Sequence, residues 1–539
     1  SPPRPPPRSP PSSNRRQRQM CIRDSMNAAT IVGMYDGSQL TVTSSLRLRY
    51  PMNQHTTPAL ALALSLSVAT FALADWPQWR GPARLGFTAS GPLVETLPSD
   101  GIQAKWKFDS LPGGNSGGWG SPVIDDNRVY IFAHTKQKTT DVGEKQYPWL
   151  APEKRVGMSD EEYEEYERKR RAEDEERAQA FRFEQRLICL DLRTGELIWE
   201  RVTPGQYTRF TQSGTPCVQD GKVFILGSGR IAYCHDALTG EILWQTRLPG
   251  EFRVEYVASS FAVHDGVALV ACSPLFAIAA SDGHVLWSGD AKSDYGSHSS
   301  PVVWMSQSSA VAICNTSGNR TVAYRISDGQ ALWELQTGVE RSSPLVVDDT
   351  LLTYGGSRKN GLQAFRMNSD DLKATPTLLW QFRGAADSGS TPVVAETHVF
   401  VQGEKRLAKI DLESGDRVWQ TTMSIATPRY TSPIVVGNQL LFAWEGLLSY
   451  AAETGDARLH YDAKIDSRGR LISEEDLRRD LGIGEWERSD GGREEAEKLW
   501  QKNAIGSGPL RCSTPAFSDG HLVVRLSNAL ACYDLRFAQ

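Results

Sequence analysis

LDLRTGELIWE (190–200) returns, with small changes, as HDALTGEILWQ (235–245), AASDGHVLWS (279–288), RISDGQALWE (325–334) and DLESGDRVWQ (411–420). The tryptophans of this pattern stand at 199, 244, 287, 333, 380 and 419, between 39 and 47 residues apart. Self-similarity at such an interval, in a strand-rich chain, marks a repeat architecture. Function in such a ring belongs to the loops and the central channel, not to the repeated residues.

A second signature opens each unit: a small hydroxyl residue, mostly followed by proline, then an apolar run. It occurs as SPVI (121–124), TPCV (215–218), SSFAV (259–263), SPVV (300–303), SPLVV (343–347), TPVV (391–394), SPIVV (432–436) and TPAF (514–517). Turn pairs such as Asp220-Gly221, Asp265-Gly266 and Asp519-Gly520 follow, then short runs such as KVFIL (222–226). Short β-branched runs bounded by Gly and Asp read as antiparallel strands joined by hairpins. Each unit is therefore four strands, A to D. Strand A begins at the proline, where a missing N–H does no harm. The Asp-x-x-Thr-Gly step makes the C–D turn.

Four-stranded units arranged radially make a β-propeller, and eight signatures predict eight blades. Seven is the alternative if the third repeat is not a blade. The last repeat stops after strand C, while AKWKFDSLP (104–112) is an unmatched D-like strand ahead of the first. Pairing the two closes the ring and removes the open edge. Trp106 then joins Trp199, Trp244, Trp287, Trp333, Trp380 and Trp419 as one aromatic per blade, packed between neighbours, with Tyr461 in that place in repeat 7. The fold class is all-β: an eight-bladed propeller of four-stranded antiparallel blades, closed by the N-terminal strand, with two mainly helical insertions.

The insertions span about 137–184 and 462–509. The first contains SDEEYEEYERKRRAEDEERAQAF (159–181), whose Ser159 and Glu162 form a capping box ahead of a solvated helix. The second contains KIDSRGRLISEE (464–475), with the glycine and final glutamate of a calcium-binding loop. Lys464 and Arg468 occupy positions where calcium needs oxygen donors, so no metal is expected there and a helix start is.

The propeller is predicted over residues 75–539. Residues 1–51 are Pro/Arg-rich and read as a non-native or disordered extension; RRQRQMCIRDS (15–25) resembles translated adapter sequence. Residues 52–74 read as an export signal, with an apolar stretch (59–71) too short for a membrane span and a small-x-small site at Ala72-Leu73-Ala74. The expected location is periplasmic or extracellular. A net charge of −5 presents no basic face, so nucleic acid is not an expected partner. Cys189, Cys234 and Cys532 share one repeat position and read as small packing residues. The chain has no C-x-x-C-H and no adjacent cysteine pair.

The repeat pattern resembles the PQQ-like propeller family, which includes quinoprotein alcohol dehydrogenases and the outer-membrane assembly scaffold BamB. WPQWRGP (76–82) with the charged helical insertion is similar to a secreted subgroup common in planctomycete genomes. The dehydrogenase branch implies PQQ above a calcium ion, an aspartate base, a stacking tryptophan and two adjacent cysteines; this chain departs from it in having no such pair. The scaffold branch implies a lipid-bearing cysteine after the signal, which is missing here.

Residues just ahead of strand A are expected at the channel mouth: Trp119, Gln212, Tyr256, His298, Arg341, Asp387, Arg429 with Tyr430, and Arg511. Of these, Trp119, His298, Arg341, Arg429, Tyr430 and Arg511 are the candidate ligand-binding residues. Converging arginines favour an anionic ligand through charge-assisted, bidentate bonds, and Trp119 offers a face for stacking. Neither a catalytic residue nor a metal ligand is assigned; Asp387 and Glu340 carry no motif. The reading is an exported, non-catalytic, monomeric binding or scaffold propeller without a cofactor, its partner a protein, an anionic glycan or an anionic small molecule. The alternatives are a dehydrogenase using PQQ with calcium, and a polysaccharide hydrolase or lyase built on two carboxylates.

Overall fold

The computed structural model describes residues 75–536, apart from 209–213, 251–257, 291–297, Ser317 and Glu340. Within it, eight antiparallel sheets each carry strands in the order A-B-C-D. Blade 1 shows the plan: Val123–Asp125, Arg128–Lys138, Phe181–Asp191 and Leu197–Pro204. Blade 3, the least certain repeat by signature, is complete, from Ala262–His264 to Val285–Ser288. Blade 8 (Ala516–Ser518, His521–Arg525, Ala529–Asp534) receives Trp106–Asp109 as its outer strand, in the register Trp106↔Cys532. The ring thus closes by hydrogen bonds between the two ends of the propeller, as the unmatched strand implied. Blade 7 (Ile434–Val436 to Leu459–Ile465) is larger than expected, with six strands: Phe87–Thr88 pairs in parallel with its strand A, and Leu471–Ser473 extends its strand D.

A β-bulge in blades 1 to 7 explains how the repeated aromatic works. Cys189 pairs with Trp199 but Leu190 pairs with Leu197, so Ile198 is an extra residue; the same slip precedes Trp244, Trp287, Trp333, Trp380, Trp419 and Tyr461. A bulge re-aims the side chain that follows it, here against the next blade. The indole N–H of Trp106, Trp199, Trp244, Trp287 and Trp380 donates to Leu192, Ala237, Ala280, Ile326 and Leu412 of the next blade, at 2.7–3.2 Å. Each ring also covers the C–D turn glycine there: a Cβ on Gly195, Gly240, Gly283, Gly329 or Gly415 would lie 2.5–2.6 Å from it.

Opposite these tryptophans sit small residues: Cys532, Cys189, Cys234, Ala277, Ala323 and Ala364. The three cysteines are buried and unpaired, and burial pushes their thiols up to about 12. Blade 6 breaks the rule. Lys409 faces Trp419, and its ammonium takes the Ala452 carbonyl at 2.7 Å, leaving the buried indole nitrogen of Trp419 without a partner.

The insertions are shorter than the repeat spacing suggested, because the flanking strands run on. Strand B of blade 1 continues to Lys138 and strand C begins at Phe181; between them stands the helix Asp160–Ala178, with both bonds of the Ser159–Glu162 capping box made. In the second insertion, strand D of blade 7 reaches Ile465, and helices Glu474–Asp480, Ile483–Arg488 and Gly492–Trp500 follow the hairpin. The stretch spaced like a calcium loop is that hairpin. Asp466 Oδ1 accepts from the Arg468 and Arg470 N–H groups at 2.9 Å, Gly469 supplies φ +83°, and Lys464 pairs with Glu474 at 3.4 Å. The expected helix start falls in the same stretch, where Ser473 caps the helix Glu474–Asp480.

Candidate functional site

Strand A leads away from the channel mouth, so A–B and C–D turns lie on one face of the ring. B–C and D–A connections lie on the other. Both insertions belong to this second, upper face, as do the residues ahead of strand A.

The hydroxyl residue of each signature does more than open a strand. Ser121 N–H donates to Thr215 Oγ1 (3.0 Å), Thr215 to Ser260 (2.9 Å), Ser260 to Ser300 (3.0 Å) and Ser300 to Ser343 (2.8 Å). Ser343 donates to Thr391 (3.0 Å), Thr391 to Ser432 (2.9 Å) and Thr514 back to Ser121 (2.9 Å). A buried belt of backbone-to-hydroxyl bonds therefore joins blade 8 to blade 1 and runs on from blade to blade as far as blade 7. Such donors would be costly if left unmet.

Below the belt the channel is not empty. Residues 75–88 thread through it as a plug. Trp76 exchanges two backbone bonds with Ile124 of blade 1, and Pro77 accepts from Val218 of blade 2. Leu85 and Gly86 accept from Val394 and Val435 of blades 6 and 7. Arg80, fully buried, donates to the carbonyls of Pro392 and Pro433; Arg84 donates to Phe261 (2.8 Å) and Pro301 (3.2 Å). Gly86 (φ +76°) leaves room for the Arg80 guanidinium, which a Cβ would meet at 2.3 Å. A cavity of about 320 Å³ remains between the plug and strands A of blades 3 to 5.

Above the belt stand the residues proposed from sequence. Arg341 lies over the Tyr430 ring, 5.8 Å from its centroid. His298 is near enough for the Arg341 charge, after burial, to help hold its imidazole down at about 4. Asp387 is buried, and its Oδ1 is engaged by three backbone N–H groups: Gly389 (2.8 Å), Ser390 (2.6 Å) and Tyr430 (3.2 Å). Burial raises its pKa against those bonds. Arg511 lies 4.8 Å from the centroid of Trp444. The Arg429 side chain is exposed; its carbonyl lies 3.9 Å from the Cys512 thiol. Trp119 is half-buried on blade 1, next to Gly120, whose carbonyl accepts from the buried Arg525 at 2.5 Å. Gln212, Tyr256 and Glu340 lie outside the described residues.

Sequence reasoning passed over Trp444 and Cys512, which are in this group, and the serines just ahead of the belt hydroxyls. Ser342, Ser390 and Ser513, each one residue ahead of a belt hydroxyl, are buried with no partner for their Oγ among the described residues. An Arg-Ser-Ser step at 341–343 and an Arg-Cys-Ser-Thr step at 511–514 were the available signal.

Fold and site together define an eight-bladed β-propeller, plugged at one face, with an arginine- and aromatic-lined upper face. The chain belongs to the family described as outer membrane protein assembly factor BamB, which matches residues 183–374 and 371–480, more than half its length, and is a PQQ-like β-propeller family. Among solved structures, BamB from Moraxella catarrhalis is 12% identical, over 64% of this chain and 91% of that one, with TM-score 0.43. Quinohemoprotein alcohol dehydrogenase ADHIIG from Pseudomonas putida HK5 is 10% identical, over 86% and 81%, with TM-score 0.49. A europium-containing methanol dehydrogenase is 12% identical, over 72% and 85%, with TM-score 0.45. Identities this low say nothing of ligand or activity. No curated protein sequence matches the chain. Among the described residues no helix is long and apolar enough to cross a membrane.

Proposed function

We propose that the protein is an exported binding propeller that takes an anionic ligand on its upper face and performs no reaction on it. The observation that carries this reading is the pair of aromatic-backed arginines, Arg341 on Tyr430 and Arg511 on Trp444. A guanidinium beside an aromatic ring is a common partner for a carboxylate or phosphate.

The described residues do not fit a calcium-held quinone. No three of their His, Cys, Asp or Glu side chains gather closely enough to hold a metal ion. The buried carboxylate of the cluster, Asp387, spends one oxygen on three backbone donors. Fold alone does not choose between a scaffold and an enzyme, and these two observations support the non-catalytic reading. Family membership and the export signal read in 52–74 support a periplasmic or extracellular location.

The test is calorimetric titration with galacturonate oligomers, citrate, an acidic peptide, and PQQ with calcium, beside a dye-linked alcohol oxidation assay. We expect an acidic probe to bind, to weaken about tenfold or more in Arg341→Ala and Arg511→Ala, and to weaken with salt. Turnover with PQQ and calcium, or no binding of any acidic probe, overturns the reading.

A further inference from the structure

The upper face holds a second recess, on blade 1 beneath the first insertion. Its volume is about 530 Å³, inside the range of roughly 300–1,000 Å³ typical of small-molecule sites. The ends of strands B and C form its floor, with His134, Lys136, Phe183 and Glu184. The arm and helix of the insertion form its roof, with Trp149, Arg170 and Asp174, and Tyr207 closes one side. The roof is tied down. Glu173 on the helix accepts the Gln146 and Tyr147 N–H groups at 2.7 Å, Arg177 donates to Gly143, and the Tyr166 hydroxyl donates to Pro148. The recess is therefore preformed.

Two features of its lining narrow the ligand. Aromatic rings are plentiful: Phe183 packs 5.8 Å from Tyr207, and Trp149, beside Arg155, is 59% exposed. The charged groups, by contrast, compensate one another. Arg170 is held by Glu167 and Asp174, Asp174 also by Lys145 at 2.5 Å, and Glu184 by Arg182 at 2.6 Å. Lys136 lies 4.1 Å from the Phe181 ring centroid. The walls thus carry two cations and two anions, and burial keeps His134 neutral. Planar carboxylates, an amide (Gln206) and a guanidinium alternate with aromatic rings. A ligand matching this has an apolar face for stacking and adjacent hydroxyls for bidentate bonds, without net charge.

We infer that this recess is a binding site for a neutral saccharide, separate from the anionic site at the channel mouth and resting on different residues. The pyranose C–H face stacks on Trp149 or Tyr207, as apolar groups do on aromatic rings. Its hydroxyls take the donors and acceptors of Glu184, Asp174 and Gln206.

The test titrates the full chain with cellobiose, maltose and chitobiose, and with galacturonic acid as the charged comparison, following tryptophan fluorescence and heat. We expect one neutral disaccharide to bind saturably with Kd of about 1 mM or below, without salt dependence. Trp149→Ala, at an exposed position, and Glu184→Gln should each weaken it about tenfold. Arg511→Ala should leave it unchanged, which separates this site from the mouth. No binding of any of the three neutral sugars, binding untouched by both variants, or preference for galacturonic acid overturns the inference.

Discussion

The backbone N–H of Thr514 donates to the hydroxyl of Ser121 at 2.9 Å across 393 residues of chain. This bond joins the last strand A to the first, and six like it link blades 1 to 7 in turn. The belt separates a lower face filled by residues 75–88 from an upper face that holds both candidate sites.

Removing one belt hydroxyl strands a buried donor. Ser300→Ala takes away the acceptor that Ser260 N–H meets at 3.0 Å. We expect a loss of about 1–3 kcal/mol in urea unfolding, against almost none for Ser308→Ala on an exposed turn. An unchanged midpoint for Ser300→Ala would remove the belt from the account of stability.

The plug holds blades from opposite sides of the ring. Arg80→Met leaves the carbonyls of Pro392 and Pro433 without their buried donor. A cost of about 2–4 kcal/mol is expected, with faster proteolysis ahead of blade 1. Stability equal to the parent would show that the plug is dispensable packing.

The C–D turn glycines are not equivalent. In Gly283→Ala the new methyl meets the Trp244 ring at 2.6 Å from a residue at φ +81°, and about 2 kcal/mol or more should be lost. Gly455 holds the same repeat position in blade 7 but has nothing within 4 Å. There Lys409 has taken the carbonyl an indole would use. Gly455→Ala should therefore be tolerated in a thermal melt; equal losses at the two sites would refute this account of docking.

Acid should weaken the ring. Burial, helped by the Arg525 charge, lowers the His134 pKa from 6.5 to about 3, and burial with Arg341 lowers His298 to about 4. Both stay neutral when folded while the unfolded chain takes up protons. Their contribution is complete above about pH 6.5 and falls away as pH drops through the window to 3–4. At roughly pH 4 the loss from the fully buried His134 alone approaches about 3 kcal/mol. Melting temperature against pH should flatten in His134→Gln over that window; a slope unchanged from the parent would sink the assignment.

Much of the fold was legible because a repeat writes its constraints eight times. The tryptophan and the Thr-Gly step recur together because one packs on the other in the next blade, and the D-like strand around Trp106 showed by its solitude where the ring closes. The bulge before each aromatic was not legible, since one extra residue in a short strand leaves the alternation readable either way. Arg80, Arg84 and Arg525 carried no signal: a buried arginine bonded to carbonyls looks in sequence like a surface one. The mouth was legible in part. Position ahead of strand A put His298, Arg341, Tyr430 and Arg511 on one face, but Trp444 reaches Arg511 from a B–C turn, off that register.

The sequence by itself determined the architecture: the four-stranded repeat, the blade count and the closure all follow from local pattern and period. Only the tertiary structure decided what fills the channel and what the upper face presents. Those depend on side chains that meet across hundreds of residues, through bonds to backbone carbonyls and ring faces that impose no spacing on the chain.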